Sequence, residues 1–445
     1  MAKMFCKAIR RSDLRILCYN IHMSEKPEKT KKLSTEPYKG VRDFYPVDMA
    51  IQNYIFDTWK KTAESFGYEE YGASVLEPAN LYKAKSGDEI VNEQTYTFID
   101  RGEREVTLRP EMTPTLARMV AAKKRELVFP LRWYSIPNLF RYEQPQRGRV
   151  REHWQLNVDL FGIDGISADV EIISLASQVM KDFGATESDF LIKISSREWL
   201  DKWLEWLALE LGDDLKTQTN KEHLFKLLDI KDKDPERFAA GLKKIRSDLT
   251  PNLVLGKEID WDAIEKNLNV KTKSLTSKLK AAGINNAIID LTSVIRGFDY
   301  YTGIVFEIYD TDPKNRRALF GGGRYDDLTS LFGGDRIPAV GFGMGDVTIR
   351  DFLETRGLLP KTKAPADYYI CVMGQEEAAF AEKIAKNLRD NGSRVAVDFT
   401  YKKIGDQIKS ADKRGILNVI VIGPEEAKNG KVKVKNLKSG EEKAL

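Results

Sequence analysis

The stretch Phe140-Arg-Tyr-Glu-Gln-Pro-Gln-Arg-Gly-Arg-Val-Arg-Glu-His-Trp-Gln-Leu-Asn-Val-Asp-Leu-Phe-Gly162 decides the fold. Two strand-like runs flank a polar loop that holds Pro145 and Gly148, which predicts a hairpin. Successive side chains of a strand point to opposite faces. On the second strand Trp154, Leu156, Val158 and Leu160 therefore share one face and enter a core, and His153, Gln155, Asn157 and Asp159 share the other. On the first strand Arg141 and Glu143 share a face in the same way. A hairpin face loaded with fixed charge is either solvated surface or the floor of a site, and alternation alone leaves both open.

Around this hairpin, residues 38–190 read as an α+β unit in which amphipathic helices alternate with strand-like runs. A helical block follows over 191–286, where Trp199, Trp203 and Trp206 recur at helical spacing and share a face, as a buried packing stripe does. From Ala287 the strand signal returns, rich in β-branched and aromatic residues over Tyr301–Tyr309, and runs through several glycine turns to a helix near Arg350–Arg356. The block 191–286 thus reads as an insertion into one sheet domain formed by 38–190 and 287–359. The segment Pro360–Pro365 reads as a linker. Residues 366–445 then alternate as β-α-β-α-β: the runs Tyr369–Met373, Val395–Phe399 and Val419–Ile422, with helices between them, predict a small α/β domain.

The bulk numbers exclude several classes. No run approaches the roughly 18 apolar residues of a membrane-spanning helix, and 42% apolar with 31% charged residues fits a folded, soluble chain. Three cysteines and three histidines give neither a disulfide framework nor a metal-ligand set, so no metal site is expected and a reducing cytoplasm fits. The net charge of +4 resides in residues 1–23, where Lys3, Lys7, Arg10, Arg11 and Arg15 face Asp13 alone. Any RNA contact must therefore come from local patches. Residues 1–37 read as a basic extension and charged linker, expected to be disordered, in preference to a targeting peptide.

The hairpin resembles motif 2 of class II aminoacyl-tRNA synthetases, and Arg-Tyr-Glu-Gln-Pro-Gln-Arg-Gly-Arg with Gln-Leu-Asn-Val-Asp is similar to the histidine-specific branch. In that family the amino acid carboxylate attacks the ATP α-phosphate, and guanidinium groups suit the charge that accumulates on the phosphorus oxygens. The resemblance implies that Arg141 binds the α-phosphate, Glu143 holds ATP and Arg149 serves the outer phosphates. Ile295-Arg-Gly-Phe-Asp-Tyr-Tyr-Thr-Gly303 resembles the branch's histidine signature, which gives Arg296 the α-phosphate and the substrate carboxylate, and Tyr301 the imidazole. Thr107-Leu-Arg-Pro-Glu-Met-Thr-Pro114 resembles the amino-group pocket, with Glu111 as acceptor and Thr113 beside it. Gly322-Gly-Arg-Tyr-Asp326 contributes Tyr325, and with Asp159, Gln155 and Tyr301 it supplies polar groups for the imidazole.

Gly40-Val-Arg-Asp-Phe-Tyr-Pro46 resembles the family's N-terminal signature, and the helix ending before Tyr68 looks like motif 1, which implies a homodimer. The 366–445 segment resembles the anticodon-binding domain, with Lys409-Ser-Ala-Asp-Lys413 the best-matching helix. The resemblance implies a class II catalytic domain built on an antiparallel sheet, ATP as substrate with Mg2+ accompanying it, and L-histidine and tRNA(His) as partners in a cytoplasmic ligase. One departure stands out. Pro338-Ala-Val-Gly-Phe-Gly-Met-Gly345 fits the motif 3 strand, but Thr348 stands where the family carries an arginine, and His153 stands where it carries a phenylalanine. Arg350 is no substitute, because two helical residues turn a side chain by about 200°. His153 is therefore expected to stack on adenine. Two rivals remain: the histidine-binding regulatory paralogue of ATP phosphoribosyltransferase, opposed by Arg141, Glu143, Arg296 and the terminal domain, and a synthetase for proline, threonine or glycine, opposed by Arg296 and Tyr301.

Overall fold

The computed structural model describes residues 33–83, 94–211, 215, 217–231, 234–255, 272–290, 300–315 and 317–445. The tail 1–32, Arg296 and the side chains of Trp199 and Trp206 lie outside what is described.

Among the described residues twelve strands precede residue 346: β1 Glu69–Glu70, β2 Leu76–Pro78, β3 Tyr96–Ile99, β4 Glu105–Leu108, β5 Leu131–Ser135, β6 Asn138–Phe140, β7 Glu152–Phe161, β8 Phe190–Ser196, β9 Ala287–Ile289, β10 Ile304–Asp310, β11 Ala318–Arg324 and β12 Ala339–Gly345. The main sheet runs β1-β5-β7-β12-β11-β10-β8-β9, with β6 paired to β7, and β2-β4-β3 form a small separate sheet. Its centre, from β5 through β8, is antiparallel throughout. The glycines 321 to 323, expected among turns, instead sit inside β11, where a Cβ would strike the neighbouring strands, and those of β12 lie in a strand, as the motif 3 resemblance implies.

The helix Pro46–Ser65 starts on a proline, whose missing N–H is no loss at that position, and carries Asp48 against the positive end of its dipole. Ile51, Ile55, Trp59 and Ala63 form its buried stripe. With the helix Ile166–Asp182 it covers the back of the sheet, where Leu156, Val158 and Leu160 of β7 point. Each such side chain contributes roughly 1.5–3 kcal/mol on full burial, so the alternation of β7 sets which way the strand faces. The front of the sheet is thereby left to Gln155, Asn157 and Asp159.

Between β8 and β9 lie the helices Arg197–Leu211, Gln218–Ile230, Pro235–Ile245, Pro251–Leu255 and Thr272–Ala281. Trp203 packs there with Leu200, Leu204, Leu224 and Leu242 in a core of its own. After the helix Asp346–Arg356 a second sheet follows, formed by β13 Tyr368–Val372, β14 Val395–Asp398, β15 Asn418–Ile422, β16 Lys433–Asn436 and β17 Glu442–Ala444, in the order β14-β13-β15-β16-β17. Its first three strands are parallel, as the β-α-β pattern predicts, and the last two are antiparallel. Among the described residues no helix is long and apolar enough to cross a membrane.

Candidate active site

The front of the sheet opens as a cleft of about 150 Å3 lined by Glu111, Thr113, Arg141, Gln155, Asp159, Tyr301 and Tyr325. Seven residues expected from separate motifs thus come together. Tyr300, Asn157, Gly341 and Gly343 also line it and were not singled out as site residues from sequence.

The floor is glycine because the cleft reaches down to the backbone. A Cβ on Gly343 would lie 2.6 Å from Gln155 Nε2, and one on Gly341 would strike the Asp159 carboxylate. Period-two glycines on one face, at 341 and 343, were the available signal for this floor.

Asp159 is 3% exposed. Tyr325 donates its hydroxyl to Asp159 Oδ1, and Oδ2 is buried without a hydrogen-bond partner. Burial disfavours the charged form and pushes the carboxyl up to about 7, against the opposing effect of the Tyr325 hydroxyl. Burial likewise holds the Tyr325 phenol well above its usual range, so it stays a donor. Such a carboxylate, short of one partner, suits a ligand N–H.

Glu111 is 2% exposed and accepts the Tyr300 hydroxyl at 3.0 Å. Arg141 is braced by Nε donating to the Pro110 carbonyl at 2.9 Å, which joins the two motifs directly. The cleft therefore offers a carboxylate and a guanidinium beside each other, with the Asp159–Tyr325 pair farther along the sheet.

The first strand of the hairpin ends sooner than its alternation predicts. β6 stops at Phe140, and the Glu143 N–H donates to the Arg141 carbonyl at 2.7 Å. That tight turn breaks the period of two, so Arg141 and Glu143 are loop residues. Glu143 lies 3.5 Å from Arg149, and its Oε2 is buried with no hydrogen-bond partner. Half-buried His153 pairs with Leu139 on β6 and does not line the cleft. Burial, then the charges of Arg141 and Arg42, push its imidazole down to about 3, so the ring is neutral. Glu143, Arg149 and His153 thus lie beside the cleft, toward the loop, and do not line it.

A buried hub organises that end. Asp346 has no exposed surface and accepts from Arg42 at 2.8 Å, Gln52 at 3.0 Å and the Trp154 N–H at 3.0 Å. It opens the helix Asp346–Arg356, where a carboxylate meets the unpaired N–H groups. Thr348 donates to the Leu319 carbonyl at 2.7 Å, so its hydroxyl serves the fold.

Among the described residues no cluster of three or more acidic, histidine or cysteine side chains is set to hold a metal ion.

Residues 40–347 match the family described as Histidyl-tRNA synthetase, and residues 367–445 match the Anticodon binding domain. A Histidine--tRNA ligase of Leptospira biflexa is 43% identical over 422 residues, covering 92% of this chain and 95% of the relative. One of Opitutus terrae is 39% identical over 428 residues, covering 89% and 93%. In fold, the chain is similar to the crystal structure of histidyl-tRNA synthetase from Nostoc sp. PCC 7120, with a TM-score of 0.75 at 22% identity, over 93% of this chain and 97% of that one. A family match over most of the chain, with relatives this similar end to end, means that the chain belongs to the histidyl-tRNA synthetase family.

Proposed function

We infer that the chain is an aminoacyl-tRNA ligase that activates L-histidine with ATP and transfers it to tRNA(His). The observation that carries the reading is the Asp159 carboxylate, buried with one oxygen unpartnered, at one side of a cleft that also holds Glu111 and Arg141. Histidine has three polar ends to match. Glu111 receives the α-ammonium group with Thr113 beside it, while Asp159, Tyr325, Tyr301 and Gln155 hold the imidazole, and the carboxylate lies toward Arg141. That carboxylate attacks the α-phosphorus, the bond to the bridging oxygen breaks, and pyrophosphate departs with its electron pair. Arg141 and, by resemblance, Arg296 stabilise the charge on the α-phosphate oxygens. The terminal ribose hydroxyl of the tRNA then attacks the histidyl carbonyl, and AMP leaves.

Glu143 and Arg149 belong to the ATP end, and His153 stands there as a neutral ring for the base. Mg2+ arrives with ATP, held chiefly by phosphate oxygens and one or two carboxylates. Glu143, whose Oε2 makes no hydrogen bond but faces Arg149 at 3.5 Å, and the buried Glu307 of β10, which accepts from Tyr309, are the carboxylates that would meet that sparse requirement. The ion supplies charge neutralisation of the leaving pyrophosphate.

The catalytic unit, expected over 38–190 with 287–359, also takes in β8 as far as Ser196 and the helix Thr272–Ala281, whose Leu275 and Leu279 join the main core; the rest of 191–286 is the insertion and 366–445 the tRNA-reading unit. In the last, Phe399 and Tyr401 are 40% and 39% exposed with rings 6.5 Å apart, next to exposed Lys402 and Lys403. Buried Gln407 braces this loop, donating to the Lys402 carbonyl at 2.7 Å. Aromatic faces beside lysines suit unstacked RNA bases. A homodimer would cover the exposed Tyr45, Val47 and Met49 at the start of the helix Pro46–Ser65. The reading expects the reaction to run in the cytoplasm, where ATP and tRNA are both present.

Exchange of labelled pyrophosphate into ATP, run with a panel of amino acids, tests the reading. Histidine alone should support it. Exchange with proline, threonine or glycine, or histidine binding without exchange, would overturn it in favour of the rival concerned.

A further inference from the structure

We propose that Arg317, which belongs to none of the motifs, is a positioning residue for ATP: it latches the tip of the loop that carries Glu143 and Arg149 onto the strand that forms the floor of the cleft. The proposal rests on the synthetase reading of that loop.

The tip is the turn Gln146–Arg149, closed by backbone hydrogen bonds of 3.0 Å and 2.9 Å between its end residues, with Gly148 at a left-handed φ of 77°. Its side chains are Gln146, Arg147 and Arg149, so no apolar burial of its own holds it in place. A polar turn of this kind keeps one position only through specific bonds to something rigid.

Arg317 supplies two of them. Its Nη1 donates to the Arg147 carbonyl at 2.9 Å and its Nη2 to Gln146 Oε1 at 3.0 Å. Arg147 in turn pairs with Asp351 of the helix Asp346–Arg356 at 2.9 Å. On the inner side a Cβ at Gly148 would lie 3.8 Å from Thr348 Cγ2, so the turn rests against the first turn of that helix. Thr348 closes the circuit through its bond to Leu319, two residues along from Arg317.

Turn, strand and helix are thus linked in a ring. Arg317 immediately precedes β11, whose Gly321 lines the cleft. The latch therefore sets the height of Glu143 and Arg149 above the surface on which ATP must lie. A guanidinium does this where an ammonium does not, because its planar fork reaches two acceptors on successive residues at once. The arrangement also accounts for a helix whose first turn carries Thr348 and no long cation. The loop is gripped from the neighbouring strand.

The test measures ATP and histidine dependence of pyrophosphate exchange in the full chain, with equilibrium ATP binding in parallel. Two bonds from an exposed guanidinium shift the loop population by roughly five- to tenfold. Arg317→Ala should raise the KM and Kd for ATP by that factor and leave the KM for histidine and the melting temperature unchanged. Arg317→Lys should not restore ATP binding. Gln146→Ala should have a smaller effect that disappears in the Arg317→Ala background, as expected for residues that share one bond. Unchanged ATP binding in Arg317→Ala, a fully additive double variant, or a parallel rise for both substrates with a lower melting temperature would overturn the latch. Absence of histidine-dependent exchange in the unaltered chain would instead overturn the synthetase reading, and ATP binding would still report on the latch.

Discussion

Replacing Asp159 with asparagine separates recognition from stability, because the carboxylate is well placed for a ligand and badly placed for the empty fold. Asp159→Asn preserves shape and the acceptor for Tyr325 but removes the charge behind the unpartnered Oδ2. A hydrogen bond to a charged group contributes about 1.5–3 kcal/mol, so kcat/KM for histidine should fall about ten- to hundredfold. The wild type should also gain activity as pH rises through about 7, where Asp159 ionises, and this gain should be missing in the variant. Histidine's own imidazole titrates in the same range, so the ratio of wild type to variant is the informative quantity. Stability should move the other way. A folded-state pKa raised from 3.8 to about 7 means that the folded chain holds a proton the unfolded chain has released. The stability this confers is full below about pH 4 and is lost as pH rises through 7, by on the order of 4 kcal/mol. At pH 8 the variant should therefore melt above the wild type, and the gap should close toward pH 4. A pH-independent activity ratio, or a variant that melts lower at pH 8, would refute the account of this carboxylate.

Arg141→Ala or Arg296→Ala should reduce histidine-dependent exchange by on the order of a hundredfold or more, as loss of one preorganised donor to a developing oxyanion does; near-normal exchange in either would remove it from the mechanism. Deleting residues 360–445 should spare adenylate formation and impair tRNA charging, which single-turnover transfer from preformed adenylate can separate. His153→Ala should raise the KM for ATP far more than that for histidine, and because the ring is neutral down to about pH 3, the effect should not vary between pH 6 and 8. A pH-dependent effect, or none on ATP, would mean that His153 does not stack on the base.

The strand side of the cleft, with Gln155 and Asp159, was legible in the sequence and the loop side was not, for a physical reason. Gln155 and Asp159 lie on a ten-residue strand whose other face is core. Hydrophobic burial dictates the orientation of that strand, and alternation transmits it to the polar side. The same logic extends to Gly341 and Gly343 on β12, but a glycine has no side chain with which to display its face. The expectation of turns came from reading the glycines of β11 singly, and those of β12 were read as strand only through the resemblance.

On the loop side no buried face imposes a period. Arg141 and Glu143 follow the last residue of β6 and are aimed by a tight turn, a bond to the Pro110 carbonyl and contact with Arg149. Local pattern cannot encode bonds that join positions 141 and 110, or 317 and 147. Resemblance could name Arg141 and Glu143 because the family shares their motif. It did not name Asp346, Arg317 or Asp351, whose contacts join segments far apart in sequence. In this chain, where Thr348 stands in place of the motif 3 arginine, the loop is held by other means, through Arg317 and Asp351. Those means are visible only once strand, helix and loop are placed together.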